Sequence, residues 1–346
     1  LLRVKYGDKR YLCEYDLNTD LFKEFNIEVK DLVPVRSVYV LQTNKGKKIL
    51  KKLNYGSKRL NFICCALDFI EKSYKNIMKI NKNINDENFV CRNGSRYILI
   101  DLIEGRECTT SNPVDIEASS KALANLHNSS IGFFDMIKGN EDFKDYIDIY
   151  NLEVNLKESL KDLNDFKKQV SRYSYKNEFD NLFYENVDYY IDEINYCIDY
   201  LKIIDINKIV NDNKKIVLCH NDLAHHNILI RQDEVYFIDF DYCKVDFRVK
   251  DLSNMIIKSI KNYDYDYEKF YNILSSYESI NKLNKEEYKL LYLLMRYPKD
   301  FYMAAKNYYL KEKNWEEEVY YWRFFNKVQH KESRKEFLDR FFYEYI

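Results

Sequence analysis

Two short stretches carry most of the side chains that could do chemistry. His220 to Ile230 reads HNDLAHHNILI, and Ile238 to Cys243 reads IDFDYC. They hold an acid at Asp222, an amide at Asn227 and a carboxylate at Asp239, framed by the apolar runs KIVLC, NILI and VYFI. Short apolar runs bounded by polar residues read as strands, here 215–219, 227–230 and 235–239, with a tight turn over Arg231 to Glu234 joining the last two. Such a hairpin sets Asn227 and Asp239 side by side at strand ends that face one opening. An amide oxygen and a carboxylate so placed suit a hard, oxygen-seeking ion such as Mg²⁺, which keeps some waters and takes other ligands from substrate phosphates. Asp222, five residues before Asn227, is then free on the loop to accept the proton of an attacking hydroxyl. Base, amide ligand and carboxylate ligand, in that order, are the parts an ATP-dependent phosphoryl transfer uses.

The same stretch holds three of the chain's five histidines. A metal site from His220, His225 and His226 is the alternative reading, but neighbouring residues of an extended segment point apart. The preferred reading gives His220 structural hydrogen bonds and puts at least one of His225 and His226 beside the acceptor.

The elements that must aim these residues follow from pattern. Residues 19–26 read as a short helix. Residues 35–43 and 47–53 read as strands around Asn44-Lys45-Gly46, with glycine where positive φ is needed. Apolar residues at helical spacing mark 57–75 as a helix. Residues 88–92 and 96–103 form a second hairpin over Asn93-Gly94, a type I′ signal. After Glu104-Gly105 the texture turns helical. Asn112-Pro113 caps a helix running to about His127, Phe179 to Leu201 is a long amphipathic helix, and 251–346 is helical again. The expected class is therefore α+β, with a small sheet-rich lobe over 1–103, a mostly helical lobe over 104–346 and a cleft between them.

Composition narrows the function classes. Lys plus Arg number 55 against 56 Asp plus Glu, so no global field steers the chain toward nucleic acid or an anionic membrane. No run approaches the roughly 18 apolar residues of a membrane span. The first residues, LLRVKYGDKRYLCEYDL, lack the basic head and apolar core of a signal peptide. The eight cysteines (Cys13, Cys64, Cys65, Cys91, Cys108, Cys197, Cys219 and Cys243) form no CxxC pair, which reads as buried thiols of a reduced, cytoplasmically made protein. Only 7 Gly and 3 Pro over 346 residues favour long helices. The 33 Tyr fit a codon bias toward AT-rich triplets. Tyr292, Tyr297, Tyr302, Tyr308, Tyr309, Trp315, Tyr320, Tyr321 and Trp322 read as core and groove wall, with an aromatic cage for a cationic amine as the alternative.

His220-x-Asp222-x4-Asn227 followed by Ile238-Asp239-Phe240 resembles the catalytic and metal loops of the aminoglycoside phosphotransferase and choline kinase group within the protein-kinase-like fold. The order PVRSVYVLQTNKGKKILKKL, YILIDLIEGRE, ALANLH, LCHNDLAHHNIL, IDFDYCKVDFRVKDL and YPKDFYMAAKNYY is similar to the CotS family of spore-coat-associated kinase-like proteins over nearly the whole chain. The resemblance implies a two-lobed protein-kinase-like fold that binds ATP and Mg²⁺. It gives Asp222 the role of base, Asn227 and Asp239 those of metal ligands, and His220 that of bracing the loop. Asp251 would hold the catalytic-loop backbone, Lys51 would meet the nucleotide phosphates, and backbone groups of Leu102 and Ile103 would meet an adenine edge. It also implies a small-molecule or protein acceptor, and other coat proteins as partners. Three features depart from the pattern of active kinases. The phosphate-covering segment VPVRS has no glycine, though Arg36 could reach a phosphate. Neither Glu71 nor Asp68 is assigned as the helix acid for Lys51. Asn221 stands where many relatives have glycine. A kinase-shaped coat protein without turnover and a choline- or aminoglycoside-type kinase outside any coat therefore stay open as rival readings.

Overall fold

Residues 19–346 are described by a computed structural model; Cys13 and the N-terminal leader reading lie outside the described residues. The strands are β1 (Val29–Val35), β2 (Val38–Thr43), β3 (Gly46–Leu53), β4 (Ile80–Asn81), β5 (Val90–Arg92), β6 (Ser95–Asp101), β7 (Arg106–Glu107), β8 (Ile216–Cys219), β9 (Ile228–Arg231), β10 (Glu234–Phe237) and β11 (Lys244–Phe247). The chain divides into two units. The first runs to Glu107 and takes in Asn227–Asp241; the second comprises Cys108–His226 and Tyr242–Ile346. Asn227 and Asp239 thus belong to the first unit, and Asp222 to the second.

In the first unit an antiparallel sheet has the order β1-β2-β3-β6-β4, with β5 also paired to β6. Gly46 takes φ 88 at the β2–β3 turn, and Asn93 and Gly94 take φ 47 and φ 74 as a type I′ turn requires. The strand expected over 35–43 is shorter. Arg36 adopts φ 54, so Val35 ends β1 and β2 starts at Val38. β1 itself carries Pro34, which cannot donate to a ladder, and it lies accordingly at the sheet edge. Helices α1 (Thr19–Glu24) and α2 (Ser57–Glu71) complete the unit. Leu21, Phe25, Leu41, Leu50 and Leu99 form one core cluster. Because Leu50 is fully buried in that core, the two-residue period of β3 turns Lys51 to the opposite face. β9 pairs with both β10 and β7, so the late hairpin is stitched to the end of the early segment.

The second unit is built on α3 (Pro113–Ser129), α4 (Phe133–Ile137), α5 (Leu152–Ser171), α6 (Glu178–Leu201), α7 (Ile206–Val210), α8 (Arg248–Ile260), α9 (Tyr267–Glu278), α10 (Lys285–Arg296), α11 (Lys299–Tyr309), α12 (Glu317–Val328) and α13 (Lys331–Tyr345). Asn112 caps α3 by accepting from the Val114 amide, and Asn177 and Asp180 cap α6 reciprocally. Helix α3 packs on α9, α5 on α6, and α8 on α10. The aromatic residues fill these seams: Phe179 stacks on Tyr308 at 3.7 Å and Tyr190 on Phe301 at 3.8 Å. α8 is pinned by a buried ion pair, with Arg248 Nε 2.6 Å from Glu287 Oε1 and Nη2 3.0 Å from Oε2. Removing one partner strands a charge in the interior. Glu287→Ala is expected to cost about 3–5 kcal/mol in urea unfolding, whereas replacing both residues by apolar side chains should cost far less.

Candidate active site

The chemistry-bearing residues form two groups, one in each unit. In the first, Lys51 Nζ lies 2.7 Å from Asp239 Oδ1 and 2.7 Å from Asp241 Oδ2, with its side chain 14% exposed. Burial alone would drive the proton off this ammonium, but the two carboxylates outweigh it and hold the Lys51 pKa above the ordinary lysine value. Asp241 is fixed in turn. Tyr55 Oη donates to its carboxylate at 2.9 Å, and Arg59, in the first turn of α2, donates to its carbonyl from Nε at 3.1 Å and Nη2 at 2.7 Å. Asp239 sits in the left-handed region at φ 66, a conformation an Asp adopts at some cost and one that aims its side chain off the strand end. It stays 41% exposed, so its carboxylate remains open to a ligand. Asn227 is buried, and its carbonyl accepts the Ile238 N–H at 3.0 Å, which sets it beside Asp239 along the ladder.

The unassigned helix acid is resolved differently from the usual pattern. Glu71 pairs with Lys79 at 2.5 Å, so α2 serves Lys51 indirectly, through the Arg59 anchor on Asp241. Arg36, which could reach a phosphate, lies 3.3 Å from Glu107, and both side chains are exposed. At 102–103 the Leu102 N–H donates to Lys47 O at 3.3 Å. That bond uses the Leu102 N–H within the first unit.

In the second unit Asp251 organises the loop. Its carboxylate accepts from the backbone N–H of His220 at 2.5 Å and of Asn221 at 2.8 Å, and lies 3.4 Å from His127 Nε2. His220 is fully buried, and its Nδ1 accepts the Asp222 N–H at 3.3 Å. Burial pushes the Asp251 pKa up, but His127 and the backbone donors prevail and hold it below the ordinary carboxylate value. Asn221 adopts φ 62, which accounts for an Asn at a position where glycine would also serve. Its carbonyl accepts from Asn254 Nδ2 at 3.2 Å. Asp222 has Lys258 Nζ, from α8, at 2.8 Å. His225 and His226 share a single 3-10 turn with their rings edge to face at 5.3 Å. Among the described residues neither joins a cluster of three potential metal ligands.

Tyr55, Arg59, His127 and Lys258 were not singled out by sequence, and Asp241 was read there without a site role. The repeated acid in IDFD was the one local signal for Asp241; a lysine among so many gave none for Lys258.

The spore coat putative kinase YutH family matches residues 18–341. The chain belongs to that family. It is 20% identical over 317 residues to spore coat protein S of Bacillus subtilis (strain 168), covering 88% of this chain and 86% of that one. Among solved structures it resembles an aminoglycoside phosphotransferase from Alicyclobacillus acidocaldarius subsp. acidocaldarius DSM 446, with TM-score 0.81, 16% identity, and 95% and 96% of the two chains covered. It also resembles a spectinomycin phosphotransferase solved with ADP and spectinomycin, with TM-score 0.66, 14% identity, and 91% and 96% covered. As a family member the chain has the protein-kinase-like α+β fold that its motifs implied. No helix among the described residues is long and apolar enough to cross a membrane.

Two outcomes follow for stability. Asn221→Gly should leave unfolding within about 0.5 kcal/mol of the parent, whereas Asn221→Val should cost roughly 1–2 kcal/mol, since a β-branched residue resists left-handed φ. The Lys51 pKa is raised on folding, so its ion pairs stabilise fully below the unfolded lysine value, about 10.4, and lose that contribution as pH rises through the higher folded value. Lys51→Met should therefore lower Tm at neutral pH, and the gap to the parent should close only above about pH 10.4.

Proposed function

We propose that this chain is an ATP·Mg²⁺-dependent phosphotransferase of the spore coat that acts on a hydroxyl. The observation that carries the reading is the convergence on one point of Lys51 with Asp241 and with Asp239, the latter 188 positions away in sequence. In this reading Lys51 binds the nucleotide phosphates and the 102–103 backbone holds the base. Two carboxylates, one of them half-exposed, next to a buried amide form an all-oxygen donor set that fits a hard divalent ion. Asp239, Asn227 and Asp241 would hold Mg²⁺, which supplies neutralisation of charge on the phosphate oxygens.

Asp222 accepts the acceptor's hydroxyl proton. The freed oxygen attacks the γ-phosphorus, the bond to the β-phosphate oxygen breaks, and ADP leaves with that electron pair. Lys258 holds the Asp222 carboxylate in place, while Asp251 and His220 fix the backbone of its loop. The free thiols, buried at Cys64, Cys108, Cys197, Cys219 and Cys243 but not at Cys65 or Cys91, the family and the similarity to spore coat protein S support a protein made in the cytoplasm and assembled on the coat, with coat proteins as neighbours.

A second reading, a coat protein that keeps the kinase shape without turnover, is favoured by the Arg36–Glu107 pair in a glycine-free turn and by the absence of an α2 carboxylate at Lys51. Turnover separates the two. Asp239→Ala should abolish ATP·Mg²⁺ binding in calorimetry. Asp222→Asn should keep nucleotide affinity while slowing transfer by about 10²–10⁴-fold. Parent protein that binds ATP·Mg²⁺ and transfers to no hydroxyl in a broad acceptor panel would favour the second reading.

A further inference from the structure

The second unit contains a cavity of about 600 Å³, the size of a small-molecule site, lined from α5, α6, α8, α11 and α12. Its charge is unevenly placed. Asp148 and Asp246, at one side, share Lys250, and Asp148 also has Lys244 at 3.3 Å, so these acids are compensated. Glu158 on α5 is exposed. At Asp300 the balance is reversed. Lys261 lies 2.6 Å and Lys327 3.7 Å from Asp300 Oδ2, and Lys299 is the adjoining residue. Three lysine charges against one carboxylate leave a surplus of two. Lys299 makes no side-chain hydrogen bond or ion pair among the described residues, although its backbone starts α11 in the cavity wall. Burial and the charges of Lys250 and Lys258 hold the Lys299 pKa below the ordinary lysine value, against the pull of Asp300. Burial and Lys261 do the same at Lys327. In both cases desolvation is the larger cause and the neighbouring lysine charges add to it.

Lys258 links this field to the chemistry. It lines the cavity, acts electrostatically on Lys299 and contacts Asp222 at 2.8 Å. A ligand whose anionic end sits on Lys299, Lys261 and Lys327 therefore shares its cavity with Lys258, the partner of Asp222.

We propose that the acceptor is itself an anion: a small hydroxyl compound that already bears a phosphate monoester, such as a polyol or sugar phosphate. The surplus of two positive charges matches the charge of about −1.5 to −2 on such a group at neutral pH. Lysines, with compact charges and rotatable donors, are common phosphate binders. An amine acceptor would face like charges instead, and several tyrosine faces of this unit are already covered by the chain's own cations, Tyr263 by Lys269 at 3.2 Å and Tyr267 by Arg340 at 3.7 Å. The transfer step rests on the phosphotransferase reading above; the binding does not. In that step the free hydroxyl gives its proton to Asp222, its oxygen takes the γ-phosphoryl group of ATP, ADP leaves, and the phosphate already present is unchanged.

The test is calorimetric titration of the full chain with glycerol phosphate, a pentose phosphate and a hexose phosphate, against the free polyols, gluconate, glucosamine and inorganic phosphate. ATP·Mg²⁺ is titrated separately. At least one phosphorylated polyol should bind, more tightly than inorganic phosphate and at least tenfold more tightly than its free polyol, gluconate or glucosamine. Lys299→Gln and Lys327→Gln should each weaken it about tenfold, the size of one lost charge-assisted hydrogen bond, with Tm near the parent value. Preference for gluconate, glucosamine or a free polyol, no binding by any phosphate ester, or unchanged affinity in the Lys299→Gln/Lys327→Gln double variant would overturn the proposal. Failure of ATP·Mg²⁺ alone, with sugar-phosphate binding retained, would sink the phosphotransferase reading and leave this one standing.

Discussion

The Lys51 ammonium, held between Asp239 and Asp241, is the constraint on which the first unit's site depends. One strand supplies the cation, and a hairpin end nearly two hundred residues later supplies both anions. Burial works against the charge on Lys51, so the contact persists only because both carboxylates are aimed at it. That aiming explains several otherwise odd features together. Asp239 accepts a left-handed backbone, Tyr55 spends its hydroxyl on Asp241, and Arg59 spends its guanidinium on a backbone carbonyl. α2 thus reaches Lys51 through the anchored loop, without a carboxylate of its own.

The second unit solves a parallel problem with a buried acid. Asp251 has no exposure, and its cost is offset by two backbone amides and a histidine. The hydrogen bonds it accepts determine where the loop turns, which in turn sets Asp222 against Lys258. The Arg248–Glu287 pair at the start of α8 keeps the helix that carries both Asp251 and Lys258 in one place. Within the KVDFRVKDL stretch, Arg248 is therefore structural and Asp246 is part of the cavity's charge balance.

Local signals were read well because local physics wrote them. Gly46 and Asn93-Gly94 need positive φ, Asn112 caps a helix before Pro113, and α6 repeats its apolar face for six turns; each is visible in a short window. β1 was missed because Pro34 argues against a strand unless its edge position is known. The pairing of β7 with β9, which brings 227–241 into the first unit, joins segments more than a hundred residues apart and leaves no trace in either one. Lys258 and Lys299 were invisible for the same reason. In a chain with 55 Lys and Arg, only the helices that gather a few of them around one carboxylate make those few distinctive.

The central claim is that the Lys51 cluster is a nucleotide-phosphate site. A crystal structure with Mg²⁺ and a non-hydrolysable ATP analogue tests it most directly. The account predicts that the analogue's phosphates take Lys51 Nζ as a hydrogen-bond partner, with the metal on Asp239, Asn227 and Asp241. Lys51 still paired only to Asp239 and Asp241, with the analogue bound elsewhere or not at all, would contradict it.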